Sequence, residues 1–70
     1  GDLVDFEKER TRLTAELTRV RGEITRLAAK LSNEGFVAKA PAAIVETERV
    51  KLGKYRETEA QLVDALAKLG

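Results

Sequence analysis

A chain of 70 residues with 36% charged, 43% hydrophobic and only 4% aromatic side chains describes one small domain of solvated helices, without the residues for a thick core. It holds neither Cys nor His, which excludes a disulfide framework and the usual zinc and other transition-metal sites. Its 13 basic and 12 acidic residues nearly cancel, so bulk charge alone singles out no polyanionic partner.

The sequence opens at Gly1 and Asp2 without an initiator Met and enters a helical pattern at once, as expected of a piece of a larger protein. Its acidic start is unlike a secretory signal, and no apolar run approaches the roughly 20 residues that cross a bilayer. A soluble, cytoplasmic chain with no membrane partner is the expectation.

A first helix is predicted over about residues 3–32. Leu3, Phe6, Leu13, Leu17, Val20, Ile24, Leu27 and Leu31 follow alternating steps of three and four, with Arg10 filling one place. That is a coiled-coil seam. Within it Glu9-Arg10-Thr11-Arg12-Leu13, Glu16-Leu17-Thr18-Arg19-Val20 and Glu23-Ile24-Thr25-Arg26-Leu27 form a seven-residue repeat. The repeat sets Glu9 with Arg12, Glu16 with Arg19 and Glu23 with Arg26, each pair contributing about 0.2–0.5 kcal/mol on an exposed helix.

A loop is predicted over about residues 33–40, where Asn33 or Gly35 can take the left-handed conformation that ends a helix. Phe36 and Val37 fall in this turn. They either cap the seam against Leu31, Ile44 or Val45, or leave Phe36 exposed to press on an unpaired base. Pro41 suits the first turn of a second helix over about 41–69, whose fixed φ it matches. This helix has a weaker seam at Val45, Leu52, Tyr55, Leu62, Leu66 and Leu69, interrupted by Glu48 and Glu59.

Two long helices joined by a short connection become antiparallel neighbours. The fold class is therefore all-α, a two-helix antiparallel coiled-coil hairpin forming a single arm over residues 1–70. Pairing outward from the loop sets Leu31 near Val45, Ile24 near Leu52, Leu17 near Glu59 and Leu13 near Leu62, to within one turn. About 28 residues per helix give a rod roughly 40 Å long.

Folding the chain in its middle polarises the charge. From Leu17 to Arg56 nine basic residues face four acidic ones, a balance of +5, while the remainder carries four against eight, a balance of −4. A basic tip attracts a phosphate backbone through counterion release. The bland alternative is that these charges pair locally on solvated faces. Gly22 and Gly53 each cost a helix interior about 1 kcal/mol relative to Ala. They are either tolerated surface glycines or points where a partner backbone comes close. The scattered carboxylates define no acid/base pair in a cleft, and no histidine stands by Thr11, Thr18 or Thr25 to activate a hydroxyl. No catalytic residue is assigned, and no cofactor or metal is expected.

The stretch Lys30-Leu31-Ser32-Asn33-Glu34-Gly35-Phe36-Val37-Ala38-Lys39-Ala40-Pro41, followed by Ile44-Val45-Glu46 and Glu48-Arg49, resembles the closing segment of bacterial valyl-tRNA synthetases. The Phe-Val pair and the Lys-Ala-Pro block carry the resemblance, and the flanking helices match in character over essentially the whole chain. It implies a carboxy-terminal coiled coil that touches the outer corner of the L-shaped tRNA, where the D and T loops meet, with catalysis in other domains of the enzyme. The partners implied are a valine-specific tRNA and the rest of the synthetase. Charge position, not the resemblance, supplies the candidate RNA-binding residues: Arg19, Arg21, Arg26, Lys30, Lys39, Arg49, Lys51 and Lys54, with Phe36 at a base. A structural coiled coil that packs on its parent or on another copy through Ile44, Val50 and Val63 is the second reading. The hairpin arm of seryl-tRNA synthetases has the same shape but lacks the Phe-Val and Lys-Ala-Pro block.

Overall fold

The computed structural model describes the backbone of residues 3–69 and the side chains of residues 5–69. Three helices follow in order: α1 over Leu3–Ser32, α2 over Glu34–Lys39 and α3 over Ala42–Leu69. The long helices α1 and α3 pack against each other along their length, and α2 folds against α1. The result is a helical hairpin measuring 53 × 14 × 13 Å. It is longer than the seams alone imply because α1 runs for 30 residues, roughly 45 Å, and the tip lies beyond it.

The heptad pattern of α1 buries Leu13, Leu17, Val20 and Leu27, with Val20 and Leu27 wholly removed from solvent. Opposite them α3 contributes Val45, Leu52 and, at a seam position, the carboxylate-bearing Glu48. Ile24, Leu31, Tyr55, Leu62, Leu66 and Leu69 are half-buried, and Arg10 is exposed. Phe6 is 48% exposed, so the expected seam opens toward the base of the rod. Leu3, Asp2 and Gly1 lie outside the described side chains. Arg21 of α1 reaches Glu59 of α3 at 2.9 Å, and Lys30 lies 3.9 Å from Glu48. Lys30–Glu48 falls two residues from the register read from the seams and Arg21–Glu59 four, about one turn.

The turn differs from the expected loop. Residues 34–39 are helical, and no described residue has a positive φ, so neither Asn33 nor Gly35 adopts the left-handed conformation. Asn33 is extended instead (φ −81°, ψ 106°) and works in both directions. Its N–H donates to the Lys30 carbonyl at 3.2 Å, closing α1. Its side-chain oxygen accepts from the Phe36 N–H at 3.2 Å, capping the start of α2. A Cβ on Gly35 would lie 3.2 Å from that capping oxygen, so glycine serves clearance here rather than backbone freedom. Ala40 is extended (φ −72°, ψ 149°), the conformation that a following proline favours, and this stops α2. The Pro41 carbonyl then accepts from the Ile44 and Val45 N–H groups at 2.9 and 3.1 Å, opening α3 one residue after the proline.

The repeated pairs of α1 form as their spacing requires: Arg12 donates to Glu9 at 2.6 Å, Arg26 to Glu23 at 2.7 Å, and Arg19 to Glu16. Hydrogen bonding from Arg12 and from Arg26 holds the Glu9 and Glu23 carboxyls below the usual carboxylate range, against the smaller effect of desolvation. A carboxyl whose pKa is lowered by folding adds stability at neutral pH, and that stability disappears as the pH falls through the folded value. Helicity followed by far-UV circular dichroism is therefore expected to decline on acidification below about pH 4. The decline should be smaller in a Glu9→Gln/Glu23→Gln variant, and also in about 1 M salt, which screens the exposed pairs.

Candidate nucleic-acid interface

The tip-proximal cations separate into three sets once the helices are paired. Arg19, Arg21 and Arg26 are committed to carboxylates, Arg19 and Arg26 within α1 and Arg21 across to Glu59. The guanidinium pKa values of Arg19 and Arg26 rise, chiefly through the hydrogen bonds to Glu16 and Glu23. Lys30 and Lys51 form the second set and share the buried Glu48 at 3.9 and 3.8 Å. Lys30 also places its ammonium 5.0 Å from the centre of the Phe36 ring, a cation–π contact that covers one face of that half-buried ring.

The third set comprises Lys39, Arg49, Lys54 and Arg56. All four are exposed, and among the described residues of the Leu17–Arg56 window they are the cations without an ion pair. Glu34 and Glu46 of the same window are likewise unpaired.

These side chains fall on two flanks of the seam. On one, Arg26, Lys51, Lys54 and Tyr55 line a shallow groove together with Glu23. On the other, Arg49 and Arg56 border a hollow lined by Leu52 and Gly53 of α3 and by Ala28, Leu31 and Ser32 of α1. No carboxylate lines this second groove. The reason is local: the α1 residues facing it are Ala28, Leu31 and Ser32, which offer no charged partner across the seam, whereas α1 brings Glu23 and Arg26 to the opposite groove. Arg56 was absent from the residues singled out by charge position, although its seven-residue spacing from Arg49 returns it to the same edge of α3.

No group of described His, Cys, Asp or Glu side chains is arranged to hold a metal ion. No helix among the described residues is long and apolar enough to cross a membrane.

A family model described as the valyl tRNA synthetase tRNA binding arm matches residues 5–70. The chain is 52% identical to the valine–tRNA ligase of Mesorhizobium japonicum, over 99% of its own length and 7% of that protein. It is 58% identical to the enzyme of Carboxydothermus hydrogenoformans over 83% of the chain and 7% of the relative. With the Thermotoga maritima enzyme the identity is 45%, over 99% of the chain and 8% of the relative. The chain thus spans only 7 to 8% of the length of these curated relatives. No solved structure matches it. A helical hairpin carrying the Phe-Val and Lys-Ala-Pro turn, matched from residue 5 to its end, belongs to the family of valyl tRNA synthetase tRNA binding arms.

Proposed function

We propose that the chain is a non-catalytic appendage of a valyl-tRNA synthetase, and that its basic, tip-proximal surface meets the outer corner of a valine tRNA where the D and T loops join. Family membership supports the tRNA as partner. The single structural observation that carries the surface assignment is the set of exposed, unpaired cations Lys39, Arg49, Lys54 and Arg56 toward the tip. Such cations release phosphate counterions without first breaking a protein ion pair. Arg19, Arg21, Arg26, Lys30 and Lys51 contribute a broader positive field, each having a carboxylate to give up before it can contact a phosphate. Phe36 keeps one face toward Lys30 and would present the other to a base. In this reading the active site, and any nucleotide, amino acid or metal it needs, belong to other parts of a cytoplasmic enzyme, and the arm holds no cofactor. Its contribution is affinity and placement.

The test is to footprint a valine tRNA with the intact ligase and with the same enzyme lacking the arm. Protection confined to the tRNA corner should vanish with the arm, and the KM for tRNA should rise while those for valine and ATP stay put. An unchanged footprint would reject the assignment. A second reading, a structural coiled coil that joins its parent or another copy, draws on the exposed apolar side chains Phe6, Ile44, Val50 and Val63. Sedimentation with and without tRNA separates the two.

A further inference from the structure

The two flanks of the rod are not equivalent, and the difference concerns both charge and shape. Arg49 and Arg56 lie seven residues apart on one edge of α3, about 10 Å along the axis. Both guanidiniums are unpaired, and each offers a planar fork of donors that fits phosphate oxygens. Between them is Gly53, where an added Cβ would meet nothing within 4 Å. Between the two cations the α3 side of the groove is the Leu52 side chain and bare backbone at Gly53, and α1 faces it with the short Ala28 and Ser32 and with Leu31, none of them charged. The opposite flank shares Glu23 and so mixes charge at the place where Arg26, Lys51 and Lys54 gather.

We infer that the groove between Arg49 and Arg56 is the seat of an RNA phosphodiester backbone. The two arginines clamp phosphates on either side of Gly53, whose missing side chain lets the strand settle against α3. This inference rests on the tRNA-binding reading above and deepens it by assigning one flank and two positioning cations, one of them unpredicted. It also gives Gly53 a purpose. Glycine in the middle of a helix costs about 1 kcal/mol relative to Ala, and no contact within the hairpin requires it there. Base edges are not read in the groove, because neither its floor nor its short wall carries an amide or aromatic side chain. The contact is accordingly one of backbone charge and shape.

The experiment measures binding of a valine tRNA to the intact ligase across a salt series, for four variants and an arm deletion. Arg49→Gln/Arg56→Gln should weaken binding about tenfold or more and reduce the salt slope by roughly 2, about one unit for each lost phosphate contact. Arg19→Gln/Arg26→Gln, which removes two cations already held by Glu16 and Glu23, should weaken binding through the lost positive field but reduce the slope by less than the Arg49/Arg56 pair does. Gly53→Leu should remain folded, with an equal or higher melting temperature because leucine favours the helix and the space is open, yet bind severalfold more weakly. Gly53→Ala should melt higher and bind close to normally. If the Arg49/Arg56 and Gly53→Leu variants bind like the parent while the arm deletion does not, the groove assignment is overturned and the tRNA-binding reading stands. If the arm deletion itself binds tRNA normally, both fall.

Discussion

Leu27→Ala is expected to bring the hairpin close to unfolding at room temperature. Leu27 is wholly buried in the tip-proximal part of the α1–α3 seam, and a two-layer rod has little structure behind that seam to collapse into the space left. Truncations of this kind cost about 2–5 kcal/mol. A chain of this length is stable by roughly 4–10 kcal/mol. The loss therefore consumes much of the total and should lower the melting temperature by about 8 °C or more, at about 4–8 °C per kcal/mol for a small domain. Thermal denaturation followed by circular dichroism measures it directly. Val50→Ala, at a position 47% exposed, should shift the same transition by no more than about 0.5 kcal/mol in equivalent free energy. Equal melting of both variants would mean that the seam is not what holds the helices together.

The second large effect has the opposite sign. Glu48 occupies a seam position with its side chain only 11% exposed, facing the ammonium groups of Lys30 and Lys51 at 3.9 and 3.8 Å. Taking a carboxylate out of water costs several kcal/mol, and partners at these distances return only part of it. Both lysines are 40% or more exposed, so they regain water once the carboxylate is gone. Glu48→Leu replaces a desolvated charge with the residue type the seam uses elsewhere, and should stabilise the hairpin by about 1–3 kcal/mol, raising its melting temperature by roughly 5 °C or more. The expected cost is specificity. A polar group at one seam position penalises slipped or higher-order pairings, so the leucine variant should show more self-association in sedimentation at high concentration. A lowered melting temperature would refute this account and make the carboxylate a net source of stability.

The seam of α1 was legible because its period is written in one helix and needs no knowledge of the other. The same holds for the Glu9–Arg12, Glu16–Arg19 and Glu23–Arg26 pairs, whose three-residue spacing dictates contact as soon as the helix forms. That spacing also implied that Arg19 and Arg26 would have partners, a consequence that net charge over a window conceals. Arg56 was passed over for the same reason, since its lack of a partner depends on Ala28 and Ser32 lying opposite, a property of the register rather than of α3. The turn was hard to read for a different reason. Asn and Gly both favour a left-handed helix end, yet Asn is equally a helix cap. The choice was made further along, by a proline at 41 that requires Ala40 to be extended and leaves just enough chain for a six-residue helix before it. Burial of Glu48 was likewise undecidable from α3 alone, because one of its two lysines comes from α1.

The slenderness of the rod sets its working conditions. At 53 Å long and 14 Å thick, it converts a small tilt at its foot into a wide sweep of its far end. The affinity gained at the tip is then limited by how narrowly that sweep is confined, since ordering it during binding draws on the same free energy as the contacts themselves. Near the foot, Phe6 of α1 and Leu69 of α3 border an open hollow in which Phe6 stays about half exposed. The tight packing lies higher up the shaft, at Leu13 to Leu27, and aim has to be supplied from the foot.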